Sequence, residues 1–292
     1  MLLTYQSEYG ELKSVLLKHP QIAFRSDEYL ESNWQNLNYL AKPDFNRAAE
    51  DYEKFLEIFT SRNIDVQFLE YDDSTGMDSI YVRDAAIATN EGMLICNMGK
   101  VQREGEPNRQ MQHYLKEGSS ILGTFGNGAK IEGGDVAWLR EGVLAVARGY
   151  RTNAVAIEQL RELLKVTADE IVVMESPHYK GPDDVFHLMS VLSPVDKDLA
   201  VVYSPLMTVP FRESLLSMGI KFVEVPDEEF DSLGSNVLTI APRVCVMVRG
   251  NPVTKSRLEK AGVEVIEFDG DEICLKGSGG PTCLTRPLTR VK

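Results

Sequence analysis

Leu216-Ser217-Met218-Gly219-Ile220-Lys221-Phe222-Val223-Glu224-Val225 reads as a helix end, a glycine and an immediate strand. Glycine accepts the left-handed backbone that closes a helix, and the residues after it alternate at the period of a strand. The phrase recurs. A helix to Ala261 ends at Gly262 and gives Val263–Phe268, and a helix from about Asp44 to Arg62 ends at Asn63 and gives Ile64–Glu70. That last helix has Asp44 as its cap, with Phe45, Ala48, Ala49, Tyr52, Phe55, Leu56 and Phe59 at helical spacing. Fainter copies are Ala154–Lys165 leading into Ile171–Glu175, and Gln110–Glu117 leading through Gly118 into Ile121–Phe125. The strands thus start near 64, 121, 171, 220 and 263, a drifting period of roughly 50 residues. Ser79–Thr89, Met93–Met98, Val143–Ala147, Leu199–Tyr203 and Val244–Val248 are further strand candidates between them. Five βαβ-like units in one α/β chain suggest a closed, pseudo-symmetric array with a shared centre; an open α/β sheet also repeats loosely.

The chain has 292 residues, 43% hydrophobic and 26% charged, which excludes a disordered or fibrous class. No linker rich in Pro, Gly or Ser divides it, so a single domain over 1–292 is expected. Lys and Arg number 31 against 44 acidic residues, a net charge of −13 with no basic patch. Nucleic acid and anionic membrane are therefore not expected partners, while a cationic ligand is compatible. The four cysteines, Cys96, Cys245, Cys274 and Cys283, form no C-x-x-C pair, which argues against a zinc ribbon or disulfide scaffold. The N-terminus does not read as a signal peptide, and no apolar run is long enough to span a bilayer. A cytoplasmic, reducing location is the expectation.

Several polar groups stand out, expected after strands at the unit ends, where loops on a rigid scaffold carry function. Tyr81-Val82-Arg83-Asp84 closes one apolar segment, and Ile131-Glu132-Gly133-Gly134-Asp135-Val136 sets two carboxylates around a diglycine. The glycines allow close approach of something to Glu132 and Asp135, although an isolated turn of this kind is more often a solvated one. Arg151, ahead of the candidate helix cap Asn153, could bind a carboxylate or lie on the surface. His187 sits among apolar neighbours, a setting more common for a hydrogen-bonded core histidine than for a catalyst. Gly277-Ser278-Gly279-Gly280-Pro281-Thr282-Cys283 puts a cysteine directly after a glycine-rich turn. That turn lacks the Lys-Ser/Thr of a phosphate loop and misses the dinucleotide fingerprint. Cys96 and Cys245 read as packing residues, and Cys274 is open. A cysteine with a histidine is the pair of covalent catalysis, yet carboxylates beside a thiol raise its pKa. A guanidinium substrate resolves the conflict, since it pairs with carboxylates and its charge favours the thiolate.

At these residues the sequence resembles the guanidine-modifying enzymes of the pentein fold: dimethylarginine dimethylaminohydrolases, arginine deiminases and amidinotransferases. The carrying motifs run in family order: VRD at Val82–Asp84, EGGDV at Glu132–Val136, RTN at Arg151–Asn153, HLMS at His187–Ser190 and GGPTC at Gly279–Cys283. The resemblance covers nearly the whole chain. It implies an α/β-propeller of five ββαβ-like units around a central site. Cys283 resembles the nucleophile, His187 the general acid/base, and Asp84 and Glu132 the guanidinium-binding carboxylates. Asp135 resembles a supporting or direct participant, and Arg151 and Arg103 the grip on the substrate α-carboxylate.

The activity implied is hydrolysis of a C–N bond in a small cationic guanidino substrate, Nω-methylated arginine to citrulline and an alkylamine. No cofactor or metal is implied, and a homodimer is possible. Arginine deiminases carry an Asp where this chain has Met189, and are over a hundred residues longer. HLMS lies nearer the HLKS or HLKT of the dimethylarginine hydrolases, whereas Arg83-Asp84 is more deiminase-like. Other readings are a deiminase or dihydrolase acting on free arginine, an amidinotransferase, and a pentein-fold binding factor without catalysis.

Overall fold

The computed structural model describes residues 3–182 and 186–291. Its repeat is strand, strand, helix, strand. The first two strands form an antiparallel hairpin, and the helix carries the chain over to a third strand parallel to the second. Ala86–Thr89, Gly92–Ile95 and Ile121–Thr124 make one such sheet, with the helix Glu106–Lys116 as crossover. Val136–Arg140, Val143–Arg148 and Glu170–Glu175 make the next, around Ala154–Leu163. Leu192–Asp196, Leu199–Val202 and Lys221–Glu224 follow with Val209–Ser217; Leu238–Ala241, Val244–Val248 and Glu264–Phe268 follow with Pro252–Lys260. The remaining sheet joins the chain ends: Ser14–Leu17 pairs parallel with Asp65–Phe68 across the helix Phe45–Thr60, and antiparallel with Arg286–Pro287. A small antiparallel sheet of Leu3–Thr4, Glu11–Leu12 and Arg290–Val291 adds a second tie between the ends.

Left-handed residues close the helices where the phrase predicts them: Asn63 (φ 55°), Gly118 (78°), Gly219 (81°) and Gly262 (79°). The third copy is faint because Ala154–Leu163 ends in a turn without such a residue. Asp44 accepts from the Asn46 and Arg47 amides and Asn153 from that of Ala156, so both caps form. The core lies between each sheet and its helix. Tyr52, Phe55 and Phe59 of the helix Phe45–Thr60 pack on Val246, Val248 and Phe268, with the Phe55 and Phe268 rings 4.7 Å apart. A larger cluster joins Leu188, Leu192 and Val201 to Phe211, Met247 and Leu258.

Two expectations need correction. Ser79–Thr89 is not one strand: Met77–Ile80 is a 3₁₀ turn and only Ala86–Thr89 is extended in a ladder. The backbone between them bonds to other loops, with the Arg83 N–H donating to the Cys283 carbonyl and the Gly133 N–H to the Asp84 carbonyl. The chemistry-bearing residues also lie before strands, not after them. Asp84, Glu132, His187 and Cys283 each precede the first strand of a sheet by two to five residues.

Candidate active site

These leading loops meet. Cys283, His187 and Asp84 line one cavity of about 360 Å³, with Asp78, Lys100, Arg103 and Arg151 also in its wall. The Cys283 loop is held tightly. A Cβ on Gly279 would stand 2.5 Å from the Tyr81 ring, and one on Gly280 would stand 2.4 Å from Asn236, so the glycines let the loop lie flat on these side chains. Asn236 accepts from the Thr282 N–H (3.0 Å) and hydroxyl (2.7 Å) and turns its amide N–H toward Cys283 Sγ at 3.4 Å. Burial pushes the Cys283 thiol up, and the Asp84 charge adds to it. The hydrogen bonds from Asn236 and Thr282 and the Gly280 backbone oppose that rise.

The EGGD turn is a joint inside the protein. The Gly134 N–H donates to Asp84 Oδ1 (3.0 Å), and a Cβ there would lie 2.5 Å from that oxygen and 2.9 Å from His187 Nδ1. What approaches the diglycine is the site itself. Asp135 stands behind His187: its Oδ2 accepts from the Thr152 hydroxyl (2.6 Å) and its Oδ1 from the Leu188 N–H (3.1 Å). Burial raises its pKa to about 6.

Glu132 differs from its expected place. Its carboxylate is wholly buried and serves four donors: the Gly99 and Lys100 N–H groups, Arg151 Nη1 and His187 Nε2, the last at 2.7 Å. With both oxygens engaged it stands behind His187 and is not presented bare to the cavity. Burial disfavours its charge, but the His187 hydrogen bond and the surrounding cations outweigh this and hold it well below the usual carboxylate range. For His187 burial alone would lower the pKa; Asp84, Asp135 and Glu132 together carry it to about 9. Asp84, Glu132 and His187 offer three ligand atoms within 4.8 Å of one another. Those atoms already serve each other and the adjoining arginines.

Arg103 also departs from expectation. Its buried guanidinium donates to both Glu106 oxygens, to the Tyr81 carbonyl and to Asp84 Oδ2. It braces Asp84, leaving little of its fork for a substrate. Arg151 holds Glu132 at 3.0 Å from the cavity wall. Arg83 is fully buried and turned away from the cavity, paired with Glu8 (3.2 Å) and donating Nε–H to the Thr282 carbonyl (3.0 Å). Met189 is buried and does not line the cavity. Cys96 and Cys245 are packing residues, and Cys274 is buried in a single π-turn with its thiol pushed far up by desolvation.

Sequence reasoning missed Asn236 and Thr152. A signal for Asn236 exists. It stands two residues before Leu238–Ala241, completing the set of one polar residue ahead of each sheet's first strand.

A thiol, an imidazole and a buried carboxylate meeting on one cavity suit the chemistry of a guanidine-modifying hydrolase. The chain belongs to the family described as N,N dimethylarginine dimethylhydrolase, eukaryotic, whose model matches residues 24–290. It is 28% identical over 98% of its length to the uncharacterized protein YkgA of Bacillus subtilis, covering 94% of that protein. Two solved structures share the fold. Dimethylarginine dimethylaminohydrolase (DDAH) from Pseudomonas aeruginosa, complexed with citrulline, has a TM-score of 0.74 at 20% identity, covering 94% of this chain and 98% of that one. The N-terminal domain of ArgZ, a cyanobacterial arginine dihydrolase bound to product, scores 0.79 at 19% identity, covering 94% and 96%.

Proposed function

We propose that the protein hydrolyses a C–N bond of an arginine-type guanidino compound through a covalent Cys283 intermediate, the five sheets standing as propeller blades around the reacting centre. The reading rests on one observation: Cys283, His187 and Asp84 open onto a single cavity. Asp84 holds the guanidinium, and the substrate's charge beside Cys283 offsets the burial that keeps the thiol protonated. As the guanidinium binds, the thiol releases its proton to solvent, and the thiolate adds to the guanidinium carbon. His187, protonated at neutral pH, gives its proton to the departing nitrogen as the C–N bond breaks, leaving an S-alkylthiouronium on Cys283. The neutral imidazole then takes a proton from water as the water oxygen adds to that carbon. The C–S bond breaks, returning the thiolate and releasing a ureido product, whose extra proton passes to the departed amine. Glu132 holds the His187 ring in place throughout and favours its protonated form between turnovers.

The sequence favours a substituted leaving nitrogen, as in a dimethylated arginine, because Met189 stands where the resembling arginine deiminases carry an Asp. The test incubates the protein with arginine, dimethylarginine and their Nα-acetyl forms. Ureido product, ammonia and dimethylamine are measured, with mass spectrometry of trapped Cys283. Ureido product that is lost in Cys283→Ser is expected; turnover undiminished in that variant would sink the mechanism.

A further inference from the structure

The cavity wall carries an ammonium of its own. Lys100 Nζ lies 2.6 Å from Asp78 Oδ2 and 2.9 Å from the Leu37 carbonyl, with its side chain 13% exposed and that of Asp78 7%. Two carboxylates are found among the described residues lining the cavity, Asp84 and Asp78. Asp84 belongs to the reacting end, beside His187 and the Gly134 amide. Asp78 is the acid left for the rest of a substrate.

An amino-acid substrate brings a second cation, its α-ammonium, which needs the acceptors an ammonium always needs: an anionic oxygen and carbonyls. Lys100 already holds such a set. Nor is it a loose surface side chain, because its own N–H donates to Glu132 Oε1 at 3.1 Å and fixes the root of the stem. Displacing Nζ would strand one ammonium in a largely buried wall without its partner. Arg103 and Arg151 in the same wall repel a further cation and favour an anion.

We propose that Lys100 is a specificity residue that satisfies Asp78 from within, so that the site selects guanidino carboxylates whose α-nitrogen is uncharged, being acylated or absent. This rests on the guanidino-hydrolase reading above.

The test compares kcat/KM for arginine and dimethylarginine with that for their Nα-acetyl forms. In the unmodified protein the acetylated forms are expected to be favoured about tenfold or more. Lys100→Met uncovers Asp78 and is expected to swing that ratio about tenfold toward the free amino acids, mainly through their KM. Lys100→Arg keeps a cation in place and should keep the original preference, and Lys100→Met combined with Asp78→Asn should lose the swing. A preference for the free amino acids in the unmodified protein overturns the proposal whether or not any variant folds. A Lys100→Met protein that loses activity on both forms alike also overturns it. If none of the four compounds turns over or slows alkylation of Cys283, the hydrolase reading falls and this one with it.

Discussion

Glu132 and His187 form the pair whose state sets the acid in this site. His187 has a raised pKa, about 9 against an ordinary value near 6.5. A base so shifted contributes stability that is complete below about pH 6.5 and lost as pH rises through about 9. Activity that needs the imidazolium should therefore fall on the alkaline side near pH 9. Glu132→Gln removes one of the charges that raise it, so that limb should move toward neutral pH, and kcat should drop by roughly 10²-fold. Breaking so buried a pair should also cost about 3–5 kcal/mol of stability. A kcat–pH profile beside a denaturant melt measures both, and an unmoved alkaline limb would refute the role given to Glu132. Asn236 acts on the other partner. Its N–H toward Sγ favours the thiolate, so Asn236→Ala should raise the Cys283 pKa and slow iodoacetamide alkylation at pH 7 by about tenfold, the equivalent of one hydrogen bond to a charged group.

At the scale of elements, the loop before the hairpin Val136–Arg148 shows how tightly the site is built. Gly134 shows why: its N–H reaches Asp84, and a Cβ there would collide with Asp84 and His187. Gly134→Ala should lower stability by about 1–3 kcal/mol through overpacking and cut kcat far more than its melting shift suggests, since the atoms displaced are the reacting ones. Steady-state kinetics well below the melting temperature would separate the two effects. The elements themselves were legible because their signals are local. A helix stripe, a left-handed closing residue and a period-2 run lie close together in the chain, as at Phe45–Phe68. The loops were not, because their partners are distant. Whether Glu132 faces a substrate or sits behind a histidine depends on Arg151, Lys100 and His187 converging from elsewhere in the chain. Asp84, His187 and Cys283 were legible as chemistry-bearing types. Asn236, between Ser235 and Val237, carries no such mark until the sheets are aligned and it proves to be the fifth polar residue at the same station.

For the whole molecule, the site needs the chain ends to meet. The Cys283 loop leads into Arg286–Pro287, which pairs with Ser14–Leu17, so the nucleophile rides on the joint between the two termini. A buried cluster holds that joint. Arg83, Arg286 and Arg290 are all nearly inaccessible, and the Glu8 carboxylate pairs with Arg83 while its charge supports the other two. Desolvation lowers both Arg286 and Arg290 to about 10, which marks how costly three guanidinium charges are there. Arg83 and Arg286 also tie the Cys283 loop to the Asp84 loop, the former through the Thr282 carbonyl and the latter through the Arg83 carbonyl. Glu8→Gln leaves these cations buried without a counter-charge and should cost about 3–5 kcal/mol. In a chain this size that corresponds to a fall of about 5–8 °C in Tm. Because Glu8 touches nothing in the cavity, its loss should act through the joint, with Cys283 alkylation becoming faster as the loop loosens while Asn236→Ala makes it slower. A Glu8→Gln protein with an unchanged Tm would show that the buried arginines are balanced some other way.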